Sequence, residues 1–384
     1  MFNSLVIKNF RSLKNFEVQK LGRVNLIVGK NNSGKSSVLE ALRIHAGNAN
    51  RGLLENIASS HDEKFWLNDD EQSGNDDFFP CADFFTDRKI PNDENIKIVI
   101  GESEISESTL FIQHIFLVER EEIVTDEKGG TRQQRYRDIV FKLDSDIYDI
   151  PVFPAFSVSK GKQSFIIKFN RMRLGRPDYP TETFGVVPCS FIPTQFISMD
   201  ELASEWDKIA LTDYEKIVSD ALKIIIPEFE GLKFVENEKP RSSSRESRRI
   251  AKVKLSNCSD VISLNSLGDG MLRVLQLSLK LFSAKSGFLL IDEFENGLHY
   301  SIQEKVWALL FEMAKRLDIQ IFATTHSWDC IESFAKVAND NNETESVLFR
   351  MGKSVREKNR GQIIATVFDK TELYNITQAD VEVR

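Results

Sequence analysis

Eight consecutive residues, Gly29-Lys30-Asn31-Asn32-Ser33-Gly34-Lys35-Ser36, carry the clearest chemistry in the chain. Glycines five positions apart, followed by lysine and serine, form a P-loop, in which backbone N–H groups approach phosphate oxygens because no Cβ stands in the way. The helix that must follow adds its partial positive charge to the same anion. Lys35 then reaches the β- and γ-phosphates, and Ser36 offers a hydroxyl to Mg²⁺. Asn31, Asn32, Ser33, Gly34 and Ser37 complete the cradle. The implied ligand is a nucleoside triphosphate, read as ATP with Mg²⁺.

Three further clusters suit the same reaction. Phe288-Leu289-Leu290-Ile291 is an apolar run ending in Asp292 and Glu293. A strand buried on both faces would present those carboxylates at its C-terminal edge, Asp292 toward the metal and Glu293 as the general base for a water. Phe322-Ala323-Thr324-Thr325 likewise ends in His326, able to hydrogen-bond a γ-phosphate. Asn265-Ser266-Leu267-Gly268-Asp269-Gly270 is a second small-residue turn opening a helix, hence a second anion site. One nucleotide needs only one such turn from one chain. The economical reading is that Ser266, Gly268 or Gly270 serves a nucleotide held by another copy; the bland one is a glycine-rich helix cap with no ligand.

The elements needed to position these groups are visible in the pattern. Leu5, Ile7 and Phe10 set apart from Lys8 and Arg11 predict a half-buried strand. Val24–Val28 predicts a strand into the glycine loop, and Val38, Leu39, Ala41, Leu42 and Ile44 a helix after it. Residues 49–95 are irregular, with an acidic stretch at 68–77 read as a solvated loop. Residues 96–192 are β-rich, at Ile96–Ile100, Leu110–Val118, Asp138–Leu143, Ser164–Phe169 and Val186–Ile192, with turns at Gly129-Gly130 and Gly161. Residues 199–228 are helical until Pro227. Lys239, Arg241, Arg245, Arg248, Arg249, Lys252 and Lys254 form a serine-rich basic run, read first as a solvated loop and second as a phosphate track. Helices at Met271–Phe282 and Ser301–Arg316, a strand at Ile319–Thr324 and a closing hairpin at 346–351 and 361–368 complete the reading.

The bulk numbers narrow the class. The chain has 384 residues, 41% hydrophobic and 28% charged, with net charge -8. Such a chain builds a large core and is not coated in basic charge for nucleic acid. Cys81, Cys189, Cys258 and Cys330 are scattered, without metal-ligand spacing, which fits a reducing cytoplasm. No signal peptide opens the sequence, and no run of about 18 apolar residues suggests a membrane span. The expected location is cytoplasmic.

Taken in order, the glycine loop, the Ser-Leu-Gly-Asp-Gly turn, the Asp292-Glu293 pair and His326 resemble the Walker A, signature, Walker B and switch-histidine motifs of ABC-type ATPase heads. The opening Ile7-Lys8-Asn9-Phe10-Arg11-Ser12-Leu13, the segment Glu295-Asn296-Gly297-Leu298-His299 and the ending Glu382-Val383-Arg384 resemble the SMC/RecF/OLD branch, and within it small bacterial OLD-like AAA family ATPases. The resemblance covers both ends of the chain and almost none of 49–185. It implies an α/β P-loop NTPase head of ABC type. Its core would comprise 1–48 and 259–384, a β-rich insertion at 49–195 would complete the core sheet, and a helical lobe would span 196–258 with the basic loop at 239–254.

The resemblance also assigns residues. Arg11 would sit near the base or phosphates of the nucleotide. Gln195 would be the Q-loop glutamine that senses Mg²⁺ and water, with Gln113 a weaker candidate because no helical lobe follows it. Glu295 and Asn296 would form the D-loop that meets a partner subunit. It implies a head-to-tail dimer or higher homo-oligomer around ATP, with slow hydrolysis. Heptads for a coiled coil are missing, and the 58 residues after His326 are too few for the Toprim nuclease of OLD proteins. Related stand-alone ATPases serve bacterial anti-phage systems of the PARIS, retron and Septu kinds. That implies a separate effector, such as a Toprim- or HNH-type nuclease. The alternative is a RecF-like DNA-binding ATPase of repair or recombination.

Overall fold

The computed structural model describes residues 1–63, 81–91, 93–125, 131–141, 152–169, 185–237, 248–341 and 343–378. The acidic stretch 68–77, the Gly129-Gly130 turn, Lys239, Arg241, Arg245 and the last six residues lie outside them.

The chemistry-bearing strands meet in one six-stranded sheet. Its members are β3 (Val24–Val28), β9 (Cys189–Ile192), β13 (Phe288–Ile291), β14 (Gln320–Thr325), β15 (Ser346–Lys353) and β16 (Ile363–Phe368). The order is β16-β15-β3-β14-β13-β9. All pairings are parallel except β15 with β16, the expected closing hairpin. Every residue of β3, β13 and β14 is buried. That is why these strands read as continuous apolar runs and not as alternations.

Alternate side chains of this sheet enter two cores. Ile27, Leu290 and Phe322 join α1 (Lys35–Ala46) and the strands of a second sheet. Leu26, Leu289, Ile291 and Ile321 face α5 (Asp269–Ser283), α6 (Tyr300–Arg316) and α7 (Trp328–Asp340). A last helix, α8 (Lys370–Gln378), follows β16.

The second sheet corrects the expected role of the insertion. Only β9 completes the core sheet. The strands β4 (Ile98–Gly101), β5 (Leu110–Thr125), β6 (Thr131–Val140), β7 (Val152–Lys160) and β8 (Gln163–Lys168) instead extend the N-terminal hairpin β1 (Leu5–Phe10) and β2 (Leu13–Val18). The result is a seven-stranded antiparallel sheet, ordered β2-β1-β4-β5-β7-β8 with β6 on β5. Residues 49–95 also hold an unexpected helix, α2 (Arg51–Ser60), capped by the Asn50 side chain accepting from Gly52 N–H. β7 was likewise unanticipated.

The lobe is not purely helical. α3 (Met199–Ile209) and α4 (Asp213–Lys223) precede a three-stranded antiparallel sheet of β10 (Phe229–Glu236), β11 (Arg249–Leu255) and β12 (Ile262–Ser263). The end of the basic run is therefore a strand and not a solvated loop. Ala251, Val253 and Leu255 point inward. Arg249 pairs with Asp207 of α3, and Lys254 with Glu230 of β10 at 3.3 Å.

Candidate functional site

β3 delivers the chain to Gly29, and α1 starts immediately after Gly34. Gly34 is the N-cap of α1 at φ 90°. A Cβ at Gly29 would lie 2.6 Å from the Met351 carbonyl oxygen and 2.7 Å from Ser33 Oγ. The loop is therefore closed to any side chain at that point. Asn31 and Asn32 are exposed on its crest, Asn32 at φ 60°, while Ser33 is buried. Ser37 is half-buried in the first turn of α1.

Lys35 Nζ donates to the carbonyls of Gly29 at 2.7 Å and Lys30 at 3.2 Å. Burial pushes its pKa below the ordinary lysine value, and the nearby Asp292, Glu293 and Glu295 oppose that shift. The ammonium thus faces a cluster of acids that offsets part of its burial.

The strand order brings those acids there. β14 lies between β3 and β13, so His326 is carried between the glycine loop and Asp292-Glu293. Ser36 Oγ is 3.3 and 3.4 Å from the two carboxylate oxygens of Asp292. Thr324 Oγ1 donates to Asp292 Oδ1 at 2.6 Å and accepts from Glu293 N–H at 2.9 Å. Glu293 has φ 47°, unusual for a residue other than glycine. His326 Nδ1 lies 3.3 Å from Glu295 Oε1 and 3.7 Å from Glu293 Oε1. The site thus gathers Lys35, Ser36, Asp292, Glu293 and His326 on the C-terminal edge of one parallel sheet.

Gln195 reaches the same edge. It follows β9, which pairs in register with β13, and Asp292 N–H donates to Ile192 O at 2.9 Å. Its neighbour Thr194 has Oγ1 3.5 Å from Asp292 Oδ2. Gln113 lies instead on β5 of the antiparallel sheet, donating to Glu94 O.

Other expected residues take cis partners. Arg11 forms ion pairs with Glu40 of α1 at 2.6 Å and Glu63 at 2.5 Å, so its guanidinium is committed to carboxylates. Glu295 accepts from His326 N–H at 3.0 Å, and Asn296 Nδ2 donates to Thr194 O at 2.5 Å. Both side chains expected to meet a partner subunit are engaged within their own chain.

The second small-residue turn is open. Ser266 and Gly268 are exposed, and a Cβ at Gly268, φ 91°, would meet nothing within 4 Å. Gly270 backs onto the Gly297 carbonyl oxygen, which a Cβ would approach to 3.3 Å.

Two supporting residues escaped the sequence reading. Thr324 looked like an ordinary strand residue until β14 was placed beside β13. Arg273, on α5, is fully buried. It donates to the carbonyls of Pro193 and Asp292 at 2.9 Å and of Glu293 at 2.8 Å. Burial pulls its pKa down to about 10, against the opposing Glu295, Asp292 and Glu293. It therefore stays charged near neutrality.

These groups fit a triphosphate with Mg²⁺. Ser33 Oγ is buried with no hydrogen-bond partner beside a cradle that a side chain would fill. Ser36 and Asp292 offer hard oxygens. Among the described residues no cluster of three or more His, Cys, Asp or Glu could hold an ion alone. Among the described residues no helix is long and apolar enough to cross a membrane.

Two family models match the chain. An AAA ATPase domain matches residues 1–176. An "AAA domain, putative AbiEii toxin, Type IV TA system" matches residues 219–329, from the lobe through the signature turn to just past His326. An ATP/GTP phosphatase of Helicobacter pylori is 23% identical over 358 residues, 88% of this chain and 89% of its own length. An uncharacterized protein of Methanocaldococcus jannaschii is 48% identical over 44 residues, 12% of this chain and 20% of its own. Solved structures with a similar arrangement include an SMC head bound to the C-terminal winged-helix domain of ScpA, 14% identical, covering 96% of this chain and 97% of that one, TM-score 0.48. The SMC head domain of Thermotoga maritima is 12% identical, covering 96% and 99%, TM-score 0.41.

Proposed function

We propose that this AAA-type ATPase, of the SMC/RecF/OLD-like kind, hydrolyses ATP slowly as a clasp between two copies of itself. One observation carries the reading. The glycine loop is furnished with its acids, hydroxyls and histidine in one chain, whereas the Ser266–Gly270 turn stands open, with nothing of its own chain within 4 Å of a Cβ at Gly268.

In this reading Lys35 and the backbone from Asn31 to Ser37 hold the phosphates. Ser36, Asp292 and Gln195 would hold Mg²⁺, which would supply charge neutralisation at the phosphates. Glu293 orients a water and accepts its proton as the oxygen attacks the γ-phosphorus, while the bond from the γ-phosphorus to the β–γ bridging oxygen breaks and ADP departs with that oxygen. His326 hydrogen-bonds the γ-phosphate from the neighbouring strand end. A second copy supplies Ser266, Gly268 or Gly270 and the N-terminus of its α5 to the outer side of the phosphates. Turnover is slow because the groups align only when two copies close. The relative named as an ATP/GTP phosphatase supports hydrolysis here.

The clasp would hold or release a separate effector, and the resemblance to anti-phage ATPases suggests a Toprim- or HNH-type nuclease. Co-expression with the neighbouring genes tests that extension, which fails if no neighbour is retained. A RecF-like DNA clamp is the weaker reading, since Arg249 and Lys254 are already paired with Asp207 and Glu230.

Glu293→Gln tests the clasp. With ATP and Mg²⁺ it should accumulate as a dimer in light scattering, with turnover reduced about a hundredfold or more. Turnover at the wild-type rate would remove Glu293 as the base. A monomer with ATP bound would remove the clasp.

A further inference from the structure

We infer that Arg273 is a positioning residue that sets Glu293, acting from the helix that carries the open turn. The inference rests on the reading of Glu293 as the base. Asp292 and Glu293 follow β13, and Pro193 follows β9, so the three carbonyls gripped by Arg273 belong to both loops flanking the acid edge. Thr324 holds the Glu293 N–H from the other side. The backbone of Glu293 is thus fixed at its N–H and its carbonyl, and at the carbonyl before it, while at φ 47°. A non-glycine residue persists there only where its surroundings over-determine it.

The planar fork of a guanidinium can serve several acceptors at fixed angles, which a lysine ammonium matches only in part. Arg273 also lies one helical turn after Gly270. A displacement of the first turn of α5, as a second copy's nucleotide seats on Ser266–Gly270, would carry Arg273 and the carbonyls it grips. The same residue would then link closure at one site to the aim of Glu293 in the other site of the dimer.

A double-mutant cycle on the full chain, with kcat, KM and ATP affinity measured separately, tests this. Arg273→Met should lower kcat about tenfold to a hundredfold, the range expected when a reacting group is misplaced by about 1 Å. ATP affinity should stay within about threefold, since Lys35 and Ser36 are untouched. Arg273→Lys should recover part of the lost rate. Combined with Glu293→Gln, Arg273→Met should add little further loss, because both act through one group.

Effects that multiply would overturn the inference, as would unchanged kcat or a rate loss matched by lost ATP binding. If Arg273→Met does not fold, the cycle is run with Arg273→Lys and read the same way. Wild-type turnover by Glu293→Gln would remove the base and this inference together. A slow Glu293→Gln with multiplying effects would overturn Arg273 alone.

Discussion

Gly34 and Gly268 each open a helix at a positive φ, 90° and 91°, though ψ differs, 14° and 164°. A Cβ on Gly34 would press against Ser12 Oγ at 3.1 Å and against Ile363 and Leu13 at 3.2 Å, whereas one on Gly268 would meet nothing. The first turn is enclosed by its own chain and faces Lys35, Ser36 and Asp292. The second also places a positive-φ glycine at its helix N-terminus, but without the enclosing residues. Two glycine-capped helix N-termini, one closed by its own chain and one left open, are what a site divided between two copies would look like from one of them.

The sharpest way to break that comparison is to remove chemistry from one turn at a time. Lys35→Ala should weaken ATP binding by about a hundredfold or more, through loss of a charge-assisted contact to the phosphates. Ser266→Glu should leave binding by the isolated chain within about twofold, since Ser266 is exposed. Calorimetric titration of both variants measures the contrast. Equal losses would mean that both turns serve one nucleotide in one chain.

Stability offers a second contrast. Gly29→Ala sets a Cβ against the Met351 carbonyl and should cost about 2–4 kcal/mol, from overpacking plus an unfavourable torsion. Gly268→Ala carries only the torsional cost, about 1–3 kcal/mol, and should cost less than Gly29→Ala. Denaturant midpoints at constant slope would check the order, and similar costs would show that the second turn is not open.

The smallest expected effect is on pH dependence, and it concerns the underside of α1. His61 hydrogen-bonds Glu40 at 2.5 Å, which raises its pKa above 6.5, against burial and Arg11. Folding therefore favours the protonated ring. This contribution is complete below pH 6.5 and is lost as pH rises through the higher folded-state value. It is modest, since the ring is 42% exposed. His45 and His114 behave oppositely. Burial lowers each from 6.5 to about 4, so their contribution is lost as pH falls from 6.5 toward 4. Thermal unfolding against pH should show both limbs, and His61→Gln should flatten only the alkaline one.

How far this was legible in the sequence differs between the two turns. Gly29–Ser36, Phe288–Glu293 and Phe322–His326 could be read directly, because strands buried on both faces have few other uses for a polar end. What surrounds them could not. That β14 separates β3 from β13, making Thr324 a partner of Asp292, is a matter of nonlocal pairing. Arg273 sits between Leu272 and Val274 in an amphipathic helix and resembles a surface arginine until the fold buries it. β1 pairs with β4 across a long stretch of chain, so all of the insertion's strands but β9 join the N-terminal hairpin and not the core sheet. The strand at Arg249–Leu255 could have been found, since Ala251, Val253 and Leu255 alternate with Lys252 and Lys254. Its charges masked that period.

The most direct test of the divided site is complementation. Lys35→Ala lacks a working glycine loop but keeps its Ser266–Gly270 turn, and Ser266→Glu keeps the loop but spoils the turn. Each should be nearly inactive alone. Mixed in equal amounts, half of the dimers would pair the two variants and hold one intact site, restoring roughly a quarter of wild-type turnover. A mixture no more active than the sum of its parts would contradict the account.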